Sequence, residues 1–470
     1  GVTAWPTGGR CMKILLVSSN MAETPYAVYP LGMSMVAAAL KRDGHEVVLF
    51  DYLQQGQSLN AVRETVRRVA PELVGISIRN IDNVNLLNEQ RYIDSVRQIV
   101  QAIRQETAVK IVLGGSGFSV MPGPVLEATG ADYGVAGEGE RFFCQFVAEA
   151  AAGRYPTERI LYAPPQLEGA GIPSAHYEPD LLEFYLKSGH MASVQTKRGC
   201  EHGCVYCTYP LLEGRVIRER EPAAVVDDME TLVSRHQAKY IFFTDSVFND
   251  NRGRYRAVVD EMKRRNLRTP WTAFFKPSRE LDDGIVATMR ETGLQAAEIG
   301  SDAPADATLR GIGKDFTFAD IDQCNSLFLK HDVATAHYFM FGCPGETPET
   351  VLEGIANLKR LQKTAIFVFM GIRILPDTGL ARIARRDGLI TEGQSLLEPV
   401  YYISPKVDRQ WLEATLKEAF AGTRHIVFPP DAMEAKLHFL FKLGYTGSLW
   451  DMLAKPGTRK ARPSPADAST

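Results

Sequence analysis

Met12–Phe50 reads MKILLVSSNMAETPYAVYPLGMSMVAAALKRDGHEVVLF, and three segments of it decide the fold. Ile14–Val17 is an apolar run of strand length, Gly32–Lys41 repeats at helical period, and Val47–Phe50 is a second apolar run. A strand that is apolar on both faces belongs in a parallel sheet covered by helices on each side. The same order continues downstream. Strand-length runs follow at Leu73–Ile76, Ile111–Leu113 and Tyr133–Val135, with a helix-period stretch at Leu87–Gln105. Five strand–helix units over 12–153 predict an α/β flavodoxin-like, doubly wound domain that binds ligands at the carboxyl ends of its strands.

A second alternating series begins near Met191. Its expected strands are Ser193–Thr196, Tyr240–Thr244, Trp271–Phe275, Ala296–Ile299, Ala336–Phe341 and Ile366–Ile374. Six such units over 191–395 fall short of the eight that close a TIM barrel, so a partial (β/α)6 barrel is expected. Between the two series, 154–190 is Pro-rich (YAPPQLEGAGIPSAHYEPD) and reads as a surface linker. Residues 396–455 read as a helical region. Residues 1–11 and 456–470 lack periodicity and read as a tag or disordered lead and a disordered tail.

The chain has 470 residues, enough for two or three domains, and is 45% hydrophobic and 23% charged, as globular proteins are. Its net charge is −3, so it lacks the basic field that backbone-driven nucleic-acid binding needs. No uninterrupted apolar stretch is long enough for a membrane span. Seven cysteines do not make a secreted disulfide scaffold, and no secretory leader opens the sequence. A cytosolic protein with free thiols is expected.

Three of those cysteines stand together in Lys197-Arg-Gly-Cys200-Glu-His-Gly-Cys204-Val-Tyr-Cys207-Thr-Tyr-Pro210, directly after the first strand of the second series. Three thiolates so close can converge on one metal centre, and Gly199 and Gly203 let the backbone fold around it. A structural zinc site wants four ligands and would have to recruit His202, His190 or a distant thiol. A [4Fe–4S] cluster held by three leaves one iron open to an external ligand. Of the other cysteines, Cys144 and Cys324 fall in helical patterns and read as core residues.

The first domain carries Gly-bearing turns after its strands: Ser18-Ser-Asn20 running on to Gly32, Gly114-Gly115-Ser116-Gly117, and Gly137-Glu138-Gly139. Glycine there admits a bulky ligand close to the backbone. The third strand ends in a polar run, Ile76-Ser77-Ile-Arg79-Asn80-Ile-Asp82-Asn83-Val-Asn85, suited to meeting a ligand or equally to capping and turns.

With these residues in place a family becomes recognisable. CxxxCxxC after the first barrel strand, with Tyr206 before its last cysteine, resembles the radical S-adenosylmethionine enzymes. So do Phe243-Thr244-Asp245-Ser246-Val-Phe-Asn249 in the second strand segment and Ile299-Gly-Ser-Asp302-Ala-Pro304-Ala-Asp306-Ala-Thr-Leu309 in the fourth. Phe341-Gly-Cys343-Pro-Gly-Glu-Thr347 and Arg373-Ile-Leu-Pro-Asp-Thr-Gly-Leu380 match the fifth and sixth. Leu113-Gly-Gly-Ser116, Val125–Tyr133 and Gly137-Glu-Gly-Glu140 resemble the cobalamin-binding domain that precedes many such barrels, and the likeness covers most of Met12–Leu453. Asp302 stands one methylene short of the family's glutamate, and Pro304 replaces a glycine.

The resemblance implies a [4Fe–4S] cluster on Cys200, Cys204 and Cys207, which also makes these the catalytic residues. It implies S-adenosylmethionine near Tyr206, Thr244, Asp245, Ser246, Asp302 and Arg373. It implies cobalamin near Ser18, Asn20, Gly32, Ser77, Arg79, Asn80, Gly114, Gly115, Ser116, Gly137, Glu138 and Gly139. No histidine motif follows the first strand to ligate cobalt. The implied reaction cleaves S-adenosylmethionine to a 5′-deoxyadenosyl radical and transfers a methyl group to an unactivated carbon or phosphorus of a small molecule. A cellular reductant of flavodoxin or ferredoxin type would supply electrons. The alternative keeps the cluster, leaves the first domain empty or repurposed, and performs rearrangement, cyclisation or 3-amino-3-carboxypropyl transfer. Lys276, His337, Tyr338 and Cys343 are the candidate substrate residues, and strand alternation lets only one of His337 and Tyr338 face the barrel lumen.

Overall fold

The computed structural model describes residues 10–23 and 25–454; the expectations for 1–9 and 456–470 fall outside them. The apolar runs of the first series pair as expected into one parallel sheet. Its strands are β1 (Lys13–Ser18), β2 (Glu46–Asp51), β3 (Leu73–Ser77), β4 (Lys110–Gly114), β5 (Tyr133–Gly137) and β6 (Ile160–Ala163). They lie in the order β2-β1-β3-β4-β5-β6. The order reverses at β1, so β1 and β3 diverge at a crevice over their carboxyl ends, where doubly wound sheets take ligands.

β6 is a departure from the sequence reading. It lies inside 154–190, read as irregular, yet it pairs parallel with β5 from Gly134↔Ile160 to Gly137↔Ala163. Four residues at a sheet edge, with Tyr162 68% exposed, carry too little pattern to be seen without their partner. The same segment also contains the helix Pro179–Leu186, with Leu181, Leu182 and Tyr185 buried.

The second series forms a seven-stranded open parallel barrel. Its first to sixth strands are Met191–Val194, Tyr240–Phe243, Trp271–Phe275, Leu294–Asp302, Ala334–Phe341 and Ala365–Met370. Ile426–Val427 adds a seventh beside the sixth, a pair too short for sequence periodicity to reveal. Ile366–Ile374, expected as one strand, breaks at Gly371. That glycine has φ +73°, and the chain beyond it leaves the barrel to pair Ile372–Arg373 antiparallel with Tyr401–Tyr402.

Small residues on the inward face of the strands, Ala296, Ala336 and Ala365, leave room at the barrel floor. The C-terminal helices Glu434–Lys442 and Trp450–Ala454 close it from below with Leu437, Phe441, Trp450 and Leu453, joined by Tyr26 from the first domain. A continuous buried cluster runs from Val17, Ile76 and Ile81 to Ile374, Leu380 and Tyr402. The two domains therefore share a core, and the cleft between them is fixed by packing.

Candidate active site

The cysteine loop hangs from a two-residue antiparallel clasp, Lys197↔Glu219 and Arg198↔Arg218. Gly199 opens it at φ +92°, where an added Cβ would lie 2.2 Å from the Val216 carbonyl oxygen, so no other residue fits without shifting the backbone. The Cys200 amide donates to Gly214 O at 3.0 Å, the Val205 amide to Ile312 O at 3.0 Å, and the Leu380 amide to Val205 O at 2.7 Å. Ser246 Oγ donates to Gly199 O at 3.2 Å. The loop is thus closed on itself at Gly214 and tied to three other segments of the barrel mouth.

Among the described residues no three His, Cys, Asp or Glu side chains are grouped as a single metal ion would require. A cube puts each thiolate on a different iron, so its three ligands need not meet at a point. The thiols are nevertheless within electrostatic reach of one another. Burial, then the Cys204 and Cys200 thiols, push Cys207 up to about 12. Burial and Cys204 also raise Cys200. The metal-free Cys200 and Cys207 thiols are therefore protonated at neutral pH, and metal binding must release those protons. Lys314 is the neighbouring charge. It pairs with Asp302 and hydrogen-bonds Cys204; burial works against its ammonium, but these partners hold its pKa above the usual lysine value.

Three residues carried over from the family motifs are already engaged. Asp302 ends the fourth barrel strand at φ +64°, and its carboxylate takes Lys314 and the Tyr206 hydroxyl. Asp245 is buried, accepts the Thr196 amide at 2.8 Å and the Lys197 amide at 3.3 Å, and takes the Thr196 hydroxyl. Its burial raises its pKa. It pins the chain that leads into the cysteine loop. The position expected for Arg373 needs correction. The turn at Gly371 carries it out of the lumen, where its Nε donates to Asp82 at 2.9 Å and its other nitrogens to Ile374 O and Leu396 O at 2.7 Å each. The pair is buried on both sides. It locks the Arg79–Asn85 segment to the barrel.

Beside this mouth opens a cavity of about 830 Å³, within the size range of small-molecule and cofactor sites. One wall is the carboxyl edge of the first sheet: Asn20, Gly32, Ser77, Arg79, Asn80, Gly114, Gly115, Ser116, Gly137, Glu138 and Gly139 all line it. Of the residues expected there only Ser18 stays outside; it is buried and hydrogen-bonds Asp51 and the Asn20 amide. The glycines do two jobs. Gly115 (φ +94°) and Gly137 (φ +100°) press their backbones to within 2.5 Å of Ile78 O and 2.3 Å of Ala163 O, measured from an added Cβ, whereas a Cβ on Gly32 would meet nothing within 4 Å. The turns are fixed, and their open side is free for a ligand.

Glu138 is held by Arg218 and by Arg198 at 3.4 Å, and it accepts the Gln166 and Leu167 amides at 2.9 Å each. Burial pushes its carboxyl up, but those amides and arginines bring it below the usual range. With Glu140 on Arg198, this buried network fastens the first-domain turn to the base of the cysteine loop.

The opposite wall is the barrel lumen, with Thr244, Asp245, Ser246 and Tyr338 as expected. Sequence reasoning missed Phe242, Phe274, Glu298, Phe367, Phe369 and Tyr26, which also line it. A signal was present: Glu298 is the one charged residue in the apolar run Ala296–Ile299. Two substrate candidates are corrected. His337 faces the helix layer, bonded to Ser301 Oγ at 2.7 Å and Asn325 Oδ1 at 3.1 Å, and burial lowers it to about 3. Cys343 is fully buried with its thiol on Met340 O at 3.3 Å. Lys276 is used at the mouth, donating to Asp315 at 2.8 Å and lying 3.3 Å from His202 Nδ1.

Comparison with known proteins assigns the two walls. Residues 17–147 match the B12 binding domain model, and residues 194–372 match that of the radical SAM superfamily. The chain belongs to the cobalamin-binding-domain radical S-adenosylmethionine enzymes. Among members of this family, it is 26% identical over 450 residues to the tryptophan 2-C-methyltransferase of Streptomyces laurentii, covering 78% of this chain and 74% of that one. It is 25% identical to the anaerobic magnesium-protoporphyrin IX monomethyl ester cyclase of Rubrivivax gelatinosus, over 73% of this chain and 64% of the relative. The radical S-adenosylmethionine methyltransferase TsrM from Kitasatospora setae, solved with cobalamin and a [4Fe–4S] cluster bound, superposes with a TM-score of 0.81 at 25% identity, covering 95% of this chain and 98% of that one. The same enzyme has been solved with tryptophan and a S-adenosylmethionine analogue bound.

Proposed function

We propose that the cleft is a cobalamin-dependent methyl-transfer site, with a small-molecule substrate held between the first-domain wall and the barrel. The observation that carries this reading is a single cavity bounded on one side by the glycine turns of a B12 binding domain and on the other by the lumen of a radical S-adenosylmethionine barrel. An empty first domain is less favoured, because its strand ends open onto that cavity. When bound, the cluster with S-adenosylmethionine supplies reductive cleavage and a methyl source, and cobalamin supplies a methyl carrier.

The chain's own residues provide position and charge. Cys200, Cys204 and Cys207 are the cluster ligands. Lys314, tied to Asp302 and Cys204, places a positive charge against the thiolates and stabilises their ionised form. Ser246 and Asp245 hold the entry to the loop, through Gly199 O and the Thr196 amide. Thr244 and Ser246, on the cavity wall, are the barrel-side polar contacts for S-adenosylmethionine; Asp245, Asp302, Tyr206 and Arg373 serve as positioning residues. Asn20, Gly32, Ser77, Arg79, Asn80, the Gly114–Ser116 turn and Gly137–Gly139 form the cobalamin wall.

The substrate is a small molecule, and the tryptophan of the similar methyltransferases makes an apolar aromatic compound the first class to try. Among the described residues no helix is long and apolar enough to cross a membrane. A cytoplasmic setting with a flavodoxin- or ferredoxin-type reductant accords with the chemistry. The test is cofactor content. Protein purified without oxygen from cells grown with the vitamin is expected to carry both corrinoid and about four irons per chain. Protein with iron but no corrinoid, even after reconstitution, would return the first domain to the empty or repurposed reading.

A further inference from the structure

At the floor of the cavity, below the barrel mouth, six aromatic rings form a collar. Consecutive rings touch in the order Tyr26–Phe242–Phe274–Tyr338–Phe367–Trp450, with centroid separations of 6.0, 5.7, 6.2, 5.5 and 5.0 Å. Inside it lies the Glu298 carboxylate, fully buried and part of the cavity lining. Tyr26 donates to Oε1 at 3.2 Å, the Tyr338 hydroxyl donates to Oε2, and the Trp450 indole N–H faces the same group.

These donors are neutral. Among the described residues no Lys, Arg or His pairs with Glu298. Arg79, the cation nearest the collar in effect, acts on Tyr26. An ionised carboxylate taken out of water costs several kcal/mol unless a cation accompanies it. Several other carboxylates around the cleft have one: Glu138 has Arg198 and Arg218, Asp302 has Lys314, and Asp82 has Arg373. Burial accordingly raises the Glu298 pKa. The two hydroxyl donors leave room on its two oxygens for a further one.

We propose that the lower lumen is the substrate pocket, and that Glu298 and its aromatic collar take a positively charged nitrogen on an apolar substrate. The missing counter-charge arrives with the ligand, the ring faces attract the ammonium, and the carboxylate accepts its hydrogen bond. The rest of the substrate extends upward between the rings of Phe242, Phe274 and Tyr338 to the mouth. This rests on the methyl-transfer reading of the cleft and narrows its substrate to aminated apolar compounds.

The test uses the cofactor-loaded enzyme and two matched probe pairs: tryptamine against 3-propylindole, and 2-phenylethylamine against propylbenzene, where methyl replaces ammonium. Equilibrium dialysis is expected to show at least one amine binding about tenfold or more tighter than its neutral partner. That preference is expected to vanish in Glu298→Gln carrying wild-type iron and corrinoid. Equal binding, or no binding, of amine and isostere in both pairs would overturn the inference, as would a preference that survives Glu298→Gln. Should that variant fail to load cofactors, the wild-type pairs alone decide. Formation of S-adenosylhomocysteine by the wild type is followed in parallel. If it is absent while the amine preference holds, the methyl-transfer reading fails and the pocket assignment stands.

Discussion

The two walls of the cleft are built by opposite means. The first-domain wall is made by leaving side chains out: Gly115 and Gly137 hold left-handed turns against neighbouring carbonyls, and Gly32 opens onto the cavity. The barrel wall is made by putting side chains in: three thiols at the mouth, polar Thr244 and Ser246 below, aromatic rings at the floor. A bulky, largely preformed cofactor needs surface to lie on, whereas a cluster and a reacting substrate need donors at fixed points. A substitution should therefore harm the first wall by adding atoms and the second by removing them.

The largest expected effect is at the thiols. Replacing any one of Cys200, Cys204 or Cys207 by alanine should abolish S-adenosylmethionine consumption, a loss beyond about 100-fold, and remove the iron chromophore. Corrinoid content should stay near wild type, since the first wall is untouched. Simultaneous loss of both cofactors would show that the walls are not independent. Next comes the seam between them. Removing one partner of the buried Arg373–Asp82 pair, as in Arg373→Met, should cost about 3–5 kcal/mol in denaturant unfolding. Adding Asp82→Leu should recover part of it, because no charge is then left buried alone.

Adding atoms to the first wall should do the reverse of the cysteine variants. Gly137→Val places a Cβ 2.3 Å from Ala163 O at φ +100°, which should cost about 1–3 kcal/mol of strain. Spectroscopy should find corrinoid retention reduced while iron content holds; unchanged corrinoid would contradict the assignment of this wall.

The most gradual effect is a stability slope at Glu346, which burial raises from 4.5 to about 8. Among the described residues its Oε1 has no hydrogen-bond partner. With the folded pKa above the unfolded one, the native state binds the extra proton between pH 4.5 and 8. This contribution is complete below that window and is lost as pH rises through it, at about 1.4 kcal/mol per pH unit at most. Thermal melts should show Glu346→Gln gaining on the wild type across the window, with no gain below it.

Sequence legibility differed between the walls for physical reasons. Strands of the first sheet were readable because burial on both faces makes them continuous apolar runs, and their terminal glycines mark the ligand edge directly. Only Ile160–Ala163 escaped, being short and at the edge. In the barrel the first six strands were equally plain, Ile426–Val427 being too short to read, and the cysteine spacing located the mouth. What could not be read was direction after a kink. Gly371 at φ +73° turns Arg373 from the lumen to Asp82, a contact spanning 291 positions that no local pattern carries. Strand alternation correctly allowed only one of His337 and Tyr338 inside; choosing Tyr338 required the Asn325 partner that holds His337 on the outer face. The collar around Glu298 was illegible because Tyr26 and Trp450 reach it from opposite ends of the chain.

Whether two cofactors serve one methyl transfer in this cleft is decided with S-adenosylmethionine labelled in its methyl group. Anaerobically loaded enzyme with reductant should produce S-adenosylhomocysteine, and protein stripped of corrinoid but retaining its cluster should not. Equal yields with and without corrinoid, or labelled S-adenosylmethionine left intact by fully loaded enzyme, would contradict it.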